Sequence, residues 1–174
     1  NAQLNTNSTA DGTTIRGLII NGTNNSAITI DPDSDGVNVE GNYLFTDSSG
    51  LISQWGINSN HAVISSGANV TVGGTGPAQR NVITARGIYL GSIAGGTGVT
   101  VKGNNFGMGS DSVTPLPQDI TYSSSVAGVS VEGADNIIGG SNSGEGNYIS
   151  NSRFGVGALR LTAASNSTIQ GNQI

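Results

Sequence analysis

Three aspartates alternate with other residues ahead of a glycine in Asp31-Pro32-Asp33-Ser34-Asp35-Gly36. Hard carboxylate oxygens delivered at this spacing are what a calcium loop opens with. Asp31, Asp33 and Asp35 are therefore candidate calcium ligands, and calcium is the one cofactor the residues suggest. The rest of the segment departs from the helix-loop-helix pattern. Its twelfth position, where a bidentate glutamate would close the loop, is Asn42. The competing reading is a solvated acidic turn between two strands.

Other chemistry finds little support. His61 is the one histidine, and a histidine with no identifiable partner is usually structural or solvated. Polysaccharide cleavage would need clustered carboxylates, or a calcium site beside an Arg or Lys base. The glycine-rich stretches Gly73-Gly74-Thr75-Gly76 and Gly95-Gly96-Thr97-Gly98 lack the aspartate of calcium nonapeptides, with Ala78 and Thr100 in its place, and read as turns. The net charge is −5, and Arg16, Arg80, Arg86, Lys102, Arg153 and Arg160 are dispersed. No basic stripe exists for nucleic acid, and no apolar run is long enough to span a bilayer. The absence of cysteine excludes disulfides and thiolate metal sites.

The elements that must position these residues announce themselves by repetition. An alternating strand, a glycine and an asparagine recur at Val37–Asn42, Val99–Asn104 and Ser167–Asn172. Two variants open on a double glycine, at Gly73-Gly74 and Gly139-Gly140, and reach their asparagine later, at Asn81 and Asn147. Such periodic self-similarity marks a solenoid. With 28 glycines among 174 residues and an abundance of Val, Ile, Thr, Ser and Asn, the composition favours short strands and tight turns. Alignment of the corners gives five coils starting at Thr13, Gly36, Ala68, Thr97 and Ala134, and a sixth begun at Asn166. Each full coil carries three short strands. The fold predicted is all-β: a right-handed parallel β-helix of about six coils, one domain over residues 1–174, on the order of 25 to 30 Å long.

Three inward columns follow. They are Ile15, Val39, Val72, Val101, Ile138 and Ile169; Ile20, Leu44, Ile83, Phe106, Ile149 and Ile174; and Ile30, Leu90, Val131 and Leu161, with the second-coil member of the last left open. Asn42, Asn81, Asn104, Asn147 and Asn172 form a further column, with Leu18 in the first coil. In register, their amides can bond one another as a structural ladder. Thr14, Asn38, Thr71, Thr100, Ile137 and Thr168 point outward. A flat threonine row suits an ordered surface such as ice or crystalline polysaccharide, but Asn38 and Ile137 interrupt it, and threonine is an ordinary solvent-face strand residue. The next outward column, Arg16, Glu40, Gly73, Lys102, Gly139 and Gln170, offers a weak Arg16–Glu40 ion pair. Tyr43, Tyr89 and Tyr148 are suited to stacking on sugars but are placed on different coils or faces. Long insertions alternate, after the second strand at Thr46–Trp55 and Gly107–Ser125, and after the double glycine at Thr75–Arg80 and Ser141–Gly146.

Gly41-Asn42-Tyr43-Leu44-Phe45-Thr46-Asp47-Ser48-Ser49-Gly50 resembles the repeat unit of bacterial right-handed parallel β-helix repeat proteins. Asn136-Ile137-Ile138-Gly139-Gly140, followed by Gly146-Asn147-Tyr148-Ile149, resembles that family's second unit, and Asn69–Gly74 with Arg80–Ile83 repeats it. Gly107-Met108-Gly109-Ser110-Asp111 departs from the usual corner. The resemblance implies a secreted or cell-surface bacterial protein and transfers no catalytic residue.

The function expected is a non-catalytic extracellular stalk, adhesin or filament element. The alternative is a carbohydrate-active enzyme (a polysaccharide lyase or glycoside hydrolase) or a carbohydrate-binding module on the same scaffold. No initiator methionine or signal peptide is present, so the expectation is a processed or excised piece. Partners expected are further coils or identical copies stacked end to end, and polysaccharide in the alternative.

Overall fold

Strands of two to four residues cannot stand alone, so each must bury its apolar residues against neighbouring coils. The computed structural model describes residues 3–7, 10–22, 25–54, 61–90, 97–117, 128–150, 159–162 and 165–174. Trp55, Gly95, Gly96, Arg153 and residues 118–125 lie outside them, as do the side chains of Arg160 and Leu161.

The chain visits three sheets in rotation, and every strand ladder is parallel. The first sheet holds β2 (Thr14–Arg16), β5 (Asn38–Glu40), β8 (Thr71–Gly73), β11 (Thr100–Lys102), β14 (Ile137–Gly139) and β17 (Thr168–Gln170). The second holds β3 (Ile19–Ile20), β6 (Tyr43–Leu44), β9 (Val82–Ile83), β12 (Asn105–Phe106) and β15 (Tyr148–Ile149). The third holds β1 (Leu4–Asn5), β4 (Ile28–Ile30), β7 (Val63–Ser65), β10 (Ile88–Leu90), β13 (Val129–Glu132) and β16 (Leu159–Thr162). The architecture is a parallel β-helix.

Register pairs Ile15 with Val39, Val39 with Val72, Val72 with Val101, and Val101 with Ile138. All five are buried. Ile20, Leu44, Ile83, Phe106 and Ile149 stack the same way on the second sheet. Burying each such side chain contributes roughly 1.5 to 3 kcal/mol. On the third sheet the register runs Ile30, Ser65, Leu90, Val131. The missing second-coil member is thus Ser65, whose hydroxyl accepts the Gly67 N–H at 3.2 Å. The strand sits one residue later than the apolar run Ala62-Val63-Ile64 suggests, because Ala62 and Val63 are both buried while Ile64 is half-buried. A further inward column, Ile28, Val63, Ile88 and Val129, completes this face. Leu4 pairs with Ile28, so a strand precedes the first coil read from the sequence.

Each coil passes through the left-handed region just before its first-sheet strand. Two residues before each first-sheet strand stand Gly12, Gly36, Asn69, Gly98, Asp135 and Asn166, all at φ between 52° and 72°. These types tolerate that conformation best. The Asp-Gly pairs at Asp11-Gly12 and Asp35-Gly36 therefore belong to a corner repeated in every coil, in a sheet with no antiparallel ladder.

Two insertions fold back on themselves, with antiparallel bridges Thr46–Ser53 and Met108–Pro115. An aspartate organises each tip. Asp47 accepts the N–H groups of Leu51 and Ile52 at 3.1 Å and the Ser49 hydroxyl. Asp111 accepts the N–H groups of Val113 and Thr114 and the Thr114 hydroxyl. These bonds hold both carboxyls below the usual carboxylate range, the Ser49 hydroxyl acting most strongly on Asp47 and the Thr114 hydroxyl on Asp111.

Candidate functional site

The glycine-asparagine corner builds the interior before it builds any surface. Asn42 Nδ2 donates to Asn81 Oδ1 at 3.1 Å, Asn81 to Asn104 at 2.9 Å, Asn104 to Asn147 at 3.0 Å and Asn147 to Asn172 at 2.8 Å. The same oxygens accept the backbone N–H of the asparagine one coil before. Each Nδ2 also donates to a first-sheet carbonyl: those of Ile15, Val39, Val72, Val101 and Ile138. Leu18 closes the series by giving its N–H to Asn42 Oδ1 at 3.1 Å. Asn42, Asn81, Asn104 and Asn147 are fully buried, so their amides are committed to the scaffold and present nothing to a ligand.

The acidic segment does not gather. Asp31 Oδ1 accepts the Asp33 N–H at 3.1 Å, as an aspartate does in a turn. Asp35 Oδ1 is held by the Asn69 amide at 2.9 Å, and the Asp35 N–H bonds Asp11 Oδ1 at 2.8 Å. Among the described residues no group of three His, Cys, Asp or Glu side chains is placed to hold a metal ion. The geometry of Asp31, Asp33 and Asp35 is that of an acidic corner tied to the coils on either side.

The outward columns also resolve into local pairs. Arg16 meets Glu40 at 3.6 Å, with Arg16 largely in solvent. Glu40 accepts from Gln79 at 2.8 Å. Lys102 reaches Glu145 at 3.9 Å. The row Thr14, Asn38, Thr71, Thr100, Ile137 and Thr168 is in register, and Asn38 folds its amide back to the Gly36 carbonyl.

His61 lies half-buried beside Tyr89, ring centroids 5.5 Å apart. Burial, with the Arg86 charge second, lowers its pKa from 6.5 to about 4. The imidazole is neutral at pH 7. The unfolded chain takes up its proton first, so this stabilisation is complete above about pH 6.5 and is lost as pH falls toward about 4. About 1 to 2 kcal/mol is expected to disappear over that window, after allowance for partial exposure. Urea unfolding at pH 7 and at pH 4.5 measures it. A His61→Gln variant showing the same pH dependence would remove the attribution.

One concave feature has mixed chemistry. A cleft of about 200 Å³ opens over β9, with Gly41, Tyr43 and Val82 as floor, the 3-10 turn Pro77–Gln79 on one side, and Arg80 and Ser110 on the other. Tyr43 and Tyr148 share one outward column, Tyr43–Val82–Asn105–Tyr148, which the separate placing of the tyrosines overlooks; Tyr89 is on the third sheet. Arg80 donates from Nε to the Gly103 carbonyl at 3.1 Å and from Nη1 to the Ser112 hydroxyl at 2.8 Å. Its guanidinium carbon lies 5.7 Å from the Tyr148 ring centroid, in cation–π range.

The wall beside Arg80 is two loops acting together. Ser110 gives its N–H to the Gly50 carbonyl at 2.9 Å and its hydroxyl to the Ser49 carbonyl at 2.8 Å. Ser53 donates to the Pro117 carbonyl at 2.9 Å. These insertions leave coils two and four, yet meet across coil three. The alternation of insertion sites in the sequence is the signal for this pairing, because only alternate coils leave loops room to stack on one side.

Against family models, curated proteins and solved structures, the chain finds no match.

Proposed function

We propose that this chain is a non-catalytic segment of an extracellular β-helix, serving as a stalk, adhesin or filament element. The observation that carries the reading is the ladder of five asparagines running through every coil from the second to the sixth. A buried, fully bonded column fixes register and resists slippage, which is what a load-transmitting rod requires. The similarity to bacterial β-helix repeat units supports an exported location. The dispersal of the carboxylates into separate pairs and turns supports a structural role over a lyase or hydrolase.

Ile169 and Ile174 continue two inward columns but are 42% and 77% exposed. β17 offers its outer edge to another strand. A further coil, or an identical copy stacked end to end, would cover both side chains and extend the ladder beyond Asn172. Sedimentation velocity over a range of concentrations, with negative-stain microscopy, tests this for the 174-residue chain. Concentration-dependent rods are expected, and Ile169→Lys with Ile174→Lys should suppress them. A monomer at every concentration would count against stacking.

The cleft beside Tyr43 favours a second reading, in which the rod also contacts carbohydrate.

A further inference from the structure

We propose that the cleft over β9 is a binding subsite for one acidic sugar unit, with Arg80 taking the carboxylate and Tyr43 the ring face. The inference rests on the second reading, carbohydrate contact at this cleft, and is independent of stacking, since a rod need not stack to carry a subsite.

Three observations converge. First, a cleft of about 200 Å³ has room for a single sugar ring and little more. Second, the one cation lining it is Arg80, and among the described residues no carboxylate lies within ion-pair distance of its guanidinium. Two of its five N–H donors are used, by Gly103 and Ser112, and those bonds with the Tyr148 ring fix its plane. A half-buried guanidinium held still in this way suits a planar carboxylate, which it can meet with two parallel hydrogen bonds. Third, Tyr43 gives the floor an aromatic surface, and the Ser110 hydroxyl, which donates to Ser49, keeps lone pairs to accept from a sugar hydroxyl.

Charge argues for a carboxylate over a phosphate monoester, which is close to doubly charged at neutral pH. The lining carries one cation and the chain is at −5 overall. A doubly charged group would meet no second Arg or Lys, whereas a singly charged carboxylate is matched by Arg80 alone.

The test is a titration of the ¹⁵N-labelled chain with trigalacturonate, followed at the backbone amides of Gly41, Ala78, Arg80, Val82 and Ser110. A neutral trisaccharide and acetate are the comparison arms. Saturable shifts confined to these amides are expected, with a Kd on the order of 1 mM for so small a contact. Arg80→Gln should weaken binding at least about tenfold. Tyr43→Ala should weaken it as well, while Tyr43→Phe retains it. Tyr43→Ala leaves the Arg80 bonds in place, so it remains informative if Arg80→Gln unfolds the loops. Equal shifts with the neutral trisaccharide would remove the carboxylate role. Acetate binding as tightly as trigalacturonate would remove the sugar. No saturable shift with any probe would overturn the subsite.

Discussion

Replacing Asn104 by alanine is expected to destabilise the rod by about 3 to 5 kcal/mol, against about 1 to 2 kcal/mol for the same change at Asn172. The difference follows from what each amide satisfies. Asn104 Oδ1 accepts both the Nδ2 and the backbone N–H of Asn81. Its Nδ2 serves the Val72 and Lys102 carbonyls and the Asn147 oxygen. The residue is fully buried, so truncation strands partners on two coils where water cannot replace the bond. A buried group left without its partner costs roughly 1 to 3 kcal/mol, and several are stranded at once. Asn172 is half-buried, and solvent can restore part of what it gives to Asn147 and Ile138. Asn104→Asp should be no better than alanine, because the carboxylate keeps the acceptor but loses the donor. Urea unfolding of the three variants gives the ranking. Equal losses at Asn104 and Asn172 would mean that the ladder contributes little beyond the packing around it.

The fold was legible because its period is written twice, once in the apolar alternation and once in the glycine that ends each first-sheet strand. Columns such as Val39–Val72–Val101 need only a correct alignment of those glycines. The third sheet was harder to read. Ser65 occupies an inward position that hydrophobicity does not mark, since a single bond to the Gly67 N–H lets a hydroxyl replace an alkyl group there. The strand Leu4–Asn5 is too short to carry a period.

The cleft was less legible than the scaffold, for a physical reason. Its lining residues Tyr43, Arg80 and Ser110 come from three different coils, and the sequence separations between them follow insertion lengths rather than a repeat. The acidic segment shows the converse. Asp31, Asp33 and Asp35 are close in sequence, but neighbouring coils claim their groups: Asn69 bonds the Asp35 carboxylate and Asp11 its N–H. In a solenoid, residues one coil apart are nearly as close as residues adjacent in sequence. A short motif is therefore a weaker guide here than in a fold that isolates its loops.

That closeness sets the second large effect. Gly103→Ala is expected to cost about 3 to 5 kcal/mol, and Gly12→Ala only about 1 to 2 kcal/mol. Both glycines are left-handed, at φ +67° and +65°, so the conformational penalty is the same at each. What surrounds them differs. A Cβ on Gly103 would run into the Gly74 carbonyl oxygen and approach that of Gly144, while one on Gly12 would meet nothing within 4 Å. The obstacles are backbone atoms of stacked loops, which no rotamer change can move aside. Asparagine separates the two causes, since it tolerates the left-handed region but still carries a Cβ. The corner of Gly12 already accommodates Asn69 and Asn166 in other coils, so Gly12→Asn should leave stability nearly unchanged. Gly103→Asn should be as damaging as Gly103→Ala, because the Gly74 carbonyl is still in the way. Thermal or urea unfolding of the four variants decides the matter. If asparagine rescued both sites, backbone strain alone would explain the glycine. If it rescued only Gly12, close contact between coils would be the reason the glycine-asparagine corner keeps its glycine.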